Sequence, residues 1–482
     1  MTTTTTPKDS EPYASLTEAP PVARSSRLLF GVFHSCAALA ALYCFLFAIK
    51  LLGDSLSLLF GCNTKAAFGF ADNAIVGLMV GMVFTAVLQS SSTVTSITVA
   101  LVGAGGLSVR QSVPITMGAN IGTCLTSTIV AFAQVGDRAQ FELALAAGTI
   151  HDFYNICTVL VLFPVEMLLH PLEHLAIAMT GGDAGTFFSS PIDAVIHPLY
   201  KQLLAVDKKT IEGVTAGTIA CNDASFLKGG VFYAAYIDGA LSSAAIGGIC
   251  LGIGLVLLIG SLLVLVKTLQ ALLRGSAQAI IQRVLNWNGY LNIGIGALIT
   301  FCVQSSSIVT STLTPMAGLG VISLEQMYPL VIGANLGTTV TALLASLVTG
   351  SPDAVAVALT HFWFNVFGML LFYPLPIMRT PIFAAARALG YASARFPLVA
   401  AYFLGGLFVL VPAIALGLTF LYNGSLGMVV AAIGLSVLLV VSGASGVYWY
   451  VRKDGRARWL AFLDEKSKLQ DEKLARQTSD DV

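Results

Sequence analysis

Charge is what this sequence has least of. Of its 482 residues only 10% are Asp, Glu, Lys or Arg, while 56% are hydrophobic and the mean hydropathy is +0.83. A soluble globular domain carries about 25% charged residues, so a water-exposed globule is excluded. The 25 basic and 25 acidic residues cancel, leaving no net field to attract nucleic acid. The eight cysteines form no CxxC pair, so no zinc-ligand spacing is present. Cys36, Cys44, Cys124, Cys157 and Cys302 fall inside apolar stretches and Cys250 near the start of another, where a thiol serves as a small core residue. Cys62 and Cys221 fall in polar connections and form the one candidate external disulfide. There is no GxSxG or comparable nucleophile turn, which argues against an intramembrane serine hydrolase and against an enzyme generally. No cleavable leader is recognisable either. The first apolar run starts only at Leu28, behind a polar, Thr- and Pro-rich stretch that reads as disordered.

What the chain does have is apolar runs near the roughly 20 residues that cross a bilayer as a helix. Two of them are interrupted by the same polar cluster, "AVLQSSSTVTSIT" from Ala86 and "FCVQSSSIVTSTLT" from Phe301. Shifted by 215, Gln89–Thr128 aligns on Gln304–Leu343 without a gap, and eighteen of the forty positions are identical. The matches include QSSS, Pro114 with Pro329, and "GANIGT" at Gly118–Thr123 with "GANLGT" at Gly333–Thr338. After a five-residue deletion the offset becomes 210 and pairs His151 with His361, Asn155 with Asn365 and Pro164 with Pro374. The chain therefore contains a duplicated unit.

Loop charge orients the copies. Lys8, Arg24 and Arg27 precede the first run; Lys267, Arg274 and Arg283, then Arg379, Arg387 and Arg395, then Arg452, Lys453, Arg456 and Arg458 follow later ones. Lys/Arg-rich flanks are cytoplasmic, so both termini are expected inside and the mixed-charge segment Gly181–Ala240 outside. One path satisfies this, with eight crossings (Leu28–Leu52, Ser112–Gln134, Leu143–Leu169, Ala244–Val266, Met327–Val348, Ala354–Met378, Leu398–Leu421, Met428–Tyr450) and two re-entrant hairpins, Asp72–Gly105 and Leu291–Gly320. Three crossings separate the hairpins, an odd number, so the second copy is inverted. The expectation is an all-α polytopic membrane protein. It would have two inverted repeats, 72–180 and 287–378, each with a re-entrant QSSS hairpin and a broken GANxGT helix, plus scaffold helices. The remaining segments are a tail at 1–27, a first helix and outer loop at 28–71, an external loop at 181–240, a link at 241–286, a basic segment with the last two helices at 379–450, and a C-terminal tail at 451–482 holding an amphipathic helix over Arg456–Arg476.

Inverted repeats with broken helices are the architecture of secondary transporters, with substrate at the repeat interface near the midplane. A hairpin tip leaves backbone N–H and C=O groups unpaired at depth, tolerable only against protein or a water-filled cavity. Half-helix N-termini favour an anion, and carbonyl and hydroxyl oxygens favour a hard cation. Gln89, Ser90, Ser91 and Ser92 with Gln304, Ser305, Ser306 and Ser307 are the first candidate ligands. Gly118, Gly122, Gly333 and Gly337 read as a second break in each copy, adding Asn120 and Asn335, with Thr123 and Thr338 of the same motif. A single Ser/Thr run in a membrane helix usually back-bonds to its own carbonyls or holds helices together; the duplication weighs against that reading. In "AQVGDRAQFELALAAGTIHDFYN", Asp152 and Asn155 share a helix face, and an intramembrane carboxylate is a functional candidate or else a helix-packing group. Asp137 and Arg138 fit a cytoplasmic turn equally well. Copy two has Phe362 at the place of Asp152, which suggests one extra cation site in copy one.

The two QSSS motifs, "GANIGT", "QVGDR", "HDFYN" and "YPLVIGANLGTT", in that order, resemble the type II sodium-dependent phosphate cotransporter family. The resemblance covers roughly Leu28 to Leu421, including "AVDKKT" at Ala205–Thr210. It implies Na⁺-coupled uptake of inorganic phosphate by alternating access in the plasma membrane, with no cofactor beyond Na⁺ as coupling ion. It also implies that the QSSS residues line the phosphate and Na⁺ path, and that Gln134, Asp137, Asp152 and Asn155 are Na⁺ ligands, Asp152 being the residue tied to electrogenic transport. The chain departs from animal members at Ala334, where they carry Ser. Its outer loop is short and lacks a sequon, and the one sequon, Asn423–Ser425, abuts a span. The expected partners are phosphate, Na⁺ and the lipid bilayer, with a homodimer left open. A symporter of another oxyanion or a dicarboxylate, or a non-transporting phosphate sensor, are the alternatives.

Overall fold

A computed structural model describes residues 24–60, 69–123, 125–181, 191–207, 210, 225–273 and 288–480. Cys62, Cys124, Cys221 and Arg283, and with them the disulfide expectation, lie outside the described residues.

The chain folds into helices: α1 Arg24–Phe60, α2 Ala74–Leu88, α3 Ser91–Gly103, α4 Val109–Gly122, α5 Leu125–Ala131, α6 Arg138–Leu169, α7 Pro171–Met179, α8 Pro191–Leu203 and α9 Tyr233–Ile237. They continue with α10 Ser243–Leu273, α11 Gly289–Val303, α12 Ser306–Gly318, α13 Leu324–Thr349, α14 Pro352–Phe372 and α15 Pro376–Arg395. The last are α16 Leu398–Gly405, joined by one π turn to α17 Val411–Tyr422, then α18 Leu426–Arg452 and α19 Gly455–Asp480. β1 Leu204–Val206 and β2 Leu227–Gly230 form an antiparallel ribbon held by Lys228 Nζ on Asp207 Oδ1 at 2.9 Å. Among the described residues eight helical stretches are long and apolar enough to cross a membrane, from Leu29–Leu56 to Leu426–Arg452. They fall on the eight crossings expected from the sequence. The protein is an all-α polytopic membrane protein. Its α18 is exposed on nearly every side, as a helix facing lipid is.

The two hairpins are built by the same local chemistry at positions 215 apart. Asn73 starts α2 by accepting from the N–H groups of Ile75 and Val76 (3.0 and 3.2 Å), and Asn288 starts α11 by accepting from Tyr290 (2.9 Å). After each hairpin the chain turns at Gly105 (φ 74°) and Gly320 (φ 71°), a left-handed conformation that glycine adopts without a Cβ clash. The next helix then opens with a capping box, Ser108 with Gln111 and Ser323 with Gln326, which satisfies first-turn donors reciprocally.

The glycines of GANIG and GANLG act differently from what the motif suggested. The "GANLGT" segment lies inside the continuous helix α13, so the expected second break is absent from copy two. In copy one α4 ends at Gly122 and α5 begins at Leu125. These glycines instead let helices touch. A Cβ on Gly118 would strike the Leu78 carbonyl oxygen, and one on Gly122 would lie 2.5 Å from that of Met82. In copy two Gly333 meets Ile293 and Gly337 meets Ala297 in the same way, while Gly81 and Gly296 return the contact against Ile115 and Leu330. Small residues spaced four apart give this close backbone approach between membrane helices.

Packing between the copies is reciprocal. α3 lies on α13 and α14, and α12 lies on α5 and α6, so each hairpin's second half rests on the other copy's helices. A separate pair, α1 along α10, packs closely where Gly247 faces the Leu59 and Ser55 backbone. At one edge Glu166, His170 and Glu173 bring ligand atoms within 4.8 Å. Glu166 already accepts from the N–H groups of Leu172 and Glu173 (2.8 and 3.1 Å), and Arg110 pairs with Glu173 at 2.8 Å. This cluster caps α7 with its own internal cation.

Candidate functional site

At each hairpin tip the helix direction is reset by two residues. Gln89 (φ 55°, ψ 26°) ends α2, and Ser90 (φ −152°, ψ 103°) starts α3. Gln304 (φ 56°, ψ 24°) and Ser305 (φ −156°, ψ 114°) do the same between α11 and α12. Ser90 Oγ accepts from the Thr93 N–H at 3.2 Å and Ser305 Oγ from that of Ile308 at 3.4 Å, as N-cap serines do.

The glutamines are occupied. Gln89 Nε2 donates to the Ala86 carbonyl and Gln304 Nε2 to that of Phe301 at 2.6 Å, each capping a last-turn acceptor that helix geometry leaves free. Their Oε1 atoms accept from Thr126 Oγ1 at 2.7 Å and Thr341 Oγ1 at 2.8 Å. Both threonines went unnoticed as site residues in the sequence. The signal was there, since they too stand 215 apart.

With the glutamines bound, the serines and the first turns of α3 and α12 provide the free donors. First-turn N–H groups have no intrahelical acceptor. A cavity of about 560 Å³ lies at the tips, lined by Gln89 to Thr93 and Gln304 to Ile308 together with Thr126, Ser311, Thr312 and Thr338. Leu88 and Val130 add apolar surface, and α10 adds Ile259 and Leu263. No charged side chain is among the described residues lining it. The eight QSSS residues therefore meet in one chamber.

The other expected ligands are distributed around it. Thr338 lines the cavity, whereas Thr123, Asn120 and Asn335 do not. Thr123 Oγ1 donates to the Ala119 carbonyl at 3.0 Å. Asn120 Nδ2 donates to that of Thr116 at 2.9 Å. Asn335 takes part in a buried chain with His151 and Asn155, through Asn335 Nδ2 to Asn155 Oδ1 at 2.7 Å and His151 Nε2 with Asn335 Oδ1 at 2.5 Å. Asp152 is fully buried and accepts from Thr128 Oγ1 at 3.0 Å.

The four expected Na⁺ ligands do not converge. Asp137 is an exposed N-cap of α6, accepting from the Gln140 N–H at 3.0 Å. Fifteen residues of continuous helix separate it from Asp152, about 22 Å at 1.5 Å per residue. Gln134 stays near Asp137 in sequence but reaches the end of the second hairpin, donating to the Pro315 carbonyl at 3.2 Å. No single ion touches all four in this conformation. Asp152 and Asn155 form the buried part of the set, with Thr128 beside Asp152.

Fold and cavity together define a polytopic membrane protein with a hydroxyl-lined chamber where two helical hairpins meet. The chain belongs to the Na⁺/Pi-cotransporter family, which matches residues 44–171 and 256–399. It is 37% identical over 430 residues to the sodium-dependent phosphate transport protein 2A of Ovis aries, covering 79% of this chain and 67% of that one. It is 34% identical over 453 residues to the human sodium-dependent phosphate transport protein 2B, covering 81% and 66%. The chain thus spans about two thirds of the length of these relatives. No solved structure matches it.

Proposed function

We infer that this protein carries inorganic phosphate across the plasma membrane together with Na⁺, by alternating access between two inverted repeats over 72–180 and 287–378, with both termini cytoplasmic. The observation that carries the reading is the chamber itself. Two half-helix N-termini bring serine hydroxyls and first-turn N–H groups to one cavity with no charged residue among the described residues lining it. Such donors suit an oxyanion, and the helix dipoles behind them favour negative charge. A phosphate anion in a low-dielectric chamber is costly without a compensating cation. Cotransported Na⁺ supplies that compensation, which gives a physical reason for the coupling. Ser90–Ser92 and Ser305–Ser307 are proposed to contact phosphate, with Gln89 and Gln304 shaping the tips. Asn120, Asn335, Thr123 and Thr338 are proposed to support the site. Asp152 and Asn155 are proposed to hold one Na⁺, and Gln134 with Asp137 to act at a separate point on the path. The names of the family and of its relatives support Na⁺ and phosphate as the transported ions.

Inversion is supported by the three spans that the described residues place between the hairpins, Val109–Gln134, Arg138–Leu169 and Ser243–Ser261, since an odd number reverses the second copy. The test is uptake of labelled phosphate by proteoliposomes with Na⁺ or choline outside. Uptake only with Na⁺, competed by phosphate more strongly than by sulfate or succinate, is the expected result. Binding without uptake would make the protein a sensor, and stronger competition by sulfate or succinate would make it a carrier of that anion.

A further inference from the structure

One repeat's histidine and asparagine grip the other repeat, and the equivalent grip stands open. His151 and Asn155 lie four residues apart on α6 and share a face. Between them they hold both ends of one carboxamide. His151 Nε2 donates to Asn335 Oδ1 at 2.5 Å, and Asn335 Nδ2 donates to Asn155 Oδ1 at 2.7 Å. His151, Asn155 and Asn335 are at most 2% exposed. In the second copy His361 and Asn365 occupy the same positions on α14, and the residue equivalent to Asn335 is Asn120 on α4, against which α14 packs. Here the grip is not made. Among the described residues, both ring nitrogens of His361 and Oδ1 of Asn365 are buried without a partner. Asn365 Nδ2 turns back to the His361 carbonyl at 2.9 Å, and Asn120 Nδ2 turns back to that of Thr116 at 2.9 Å.

Buried polar groups without a partner are rare and call for an explanation. His361 and Asn365 are 2% and 3% exposed, and packing alone is served equally well by apolar side chains at these positions. We propose that the two His-x3-Asn pairs form a reciprocal latch. His151 and Asn155 hold Asn335 in the conformation described here, and His361 and Asn365 hold Asn120 when the transporter faces the other side. The inference rests on the inverted-repeat transport reading, because in such a protein each repeat takes up the other's arrangement when the site changes sides. The bonding is conserved across the cycle in number and exchanged in place. Each state then satisfies one carboxamide across the repeat boundary, and an unpaired His361 ring nitrogen and Asn365 Oδ1 set a cost that the closing bonds remove, one ring nitrogen staying unpaired on either side as His151 Nδ1 does here. His151 and His361 act as positioning residues through Asn335 and Asn120, and neither lines the phosphate chamber.

The test measures which way the chamber faces. Val130 lines it, so Val130→Cys in a full-length chain otherwise lacking cysteine, in proteoliposomes of uniform orientation, reports access by the rate of labelling with an impermeant maleimide. His151→Ala removes the bond made here and His361→Ala the bond made in the alternative state. The two substitutions should therefore shift the labelling rate in opposite directions, by about 2- to 10-fold each, the weight of one net buried hydrogen bond. The double variant should return toward the parent. His361→Gln, which keeps a donor, should sit nearer the parent than His361→Ala. Shifts in the same direction, or no shift in variants whose melting temperature matches the parent, would overturn the latch. A general loss of stability cannot produce opposite shifts. Phosphate uptake by the unsubstituted full-length chain, in separate vesicles, separates the two levels of inference. Parent uptake without opposite shifts overturns the latch alone, while opposite shifts without Na⁺-driven uptake support the latch and overturn the phosphate reading.

Discussion

Replacing Thr341 by valine removes one hydroxyl and almost no volume, and the structure says what that hydroxyl does. It donates to Gln304 Oε1 at 2.8 Å, from a residue only 1% exposed, onto a glutamine that is 9% exposed. The glutamine in turn holds the last turn of α11 through its Nε2 and sits at φ 56°, a conformation a non-glycine residue keeps only when its surroundings enforce it. Without the threonine its carbonyl oxygen loses its protein donor in a nearly closed environment. A buried acceptor left unsatisfied costs about 1–3 kcal/mol, equivalent to roughly a 5- to 160-fold loss in transport rate if the tip geometry carries the transition. Thr126 makes the equivalent bond to Gln89 at 2.7 Å, but both partners there are only half-buried, so water replaces part of it. Thr126→Val should therefore cost less, about 0.5–1.5 kcal/mol or roughly 2- to 10-fold. The assay is the initial rate of Na⁺-driven phosphate uptake in proteoliposomes of matched protein content, beside the melting temperature. Thr341→Ser keeps the hydroxyl and should retain most of the activity. Valine variants with parental rates would refute the argument, as would a serine variant as impaired as the valine one, since the methyl group would then be what matters.

Gly118→Ala and Gly333→Ala should each destabilise by about 1–3 kcal/mol, the range for overpacking, because their Cβ atoms strike the Leu78 and Ile293 carbonyls. Gly434→Ala, with nothing within 4 Å, should leave the melting temperature at or above the parent's, and equal behaviour of all three would remove the close-packing account. Ser91→Ala and Ser306→Ala should lower uptake strongly while melting stays near parental; melting that falls in step with uptake would instead make the hydroxyls structural. Asp152→Asn should weaken the voltage dependence of uptake, since a charge crossing the membrane is worth about 2.3 kcal/mol per 100 mV, and currents unchanged at every voltage would exclude it from coupling. Arg110→Cys and Glu325→Cys, equivalent positions 215 apart, should label from opposite faces with an impermeant reagent; labelling of both from one face would eliminate the inversion.

The sequence alone determined the membrane class, the eight membrane-length helices found among the described residues and the two helical hairpins. Apolar length, helix caps such as Asn73 and Asn288, and the left-handed Gly105 and Gly320 act within a few residues, and such short-range causes are written locally. It also determined the duplication, because an offset of 215 is a property of the string. Tertiary structure decided what the shared residues do. Gly118 and Gly333 looked like points of unwinding, yet an intramembrane glycine serves equally for a break or a close contact, and only the carbonyl facing it distinguishes them. Gln89 and Gln304 are expected as ligands from the motif alone, and only the fold shows that Thr126 and Thr341, far along the chain, donate to their side-chain oxygens. Asp137 and Asp152 are both expected as Na⁺ ligands, but whether one ion could meet both depended on whether α6 was broken between them, and the continuous helix holds them about 22 Å apart. Asn335 lies outside the chamber and under His151 and Asn155. Its role could not be read from its motif because both partners come from the other repeat. Contacts of that kind depend on how two copies of one unit pack together, and no stretch of either copy contains that information.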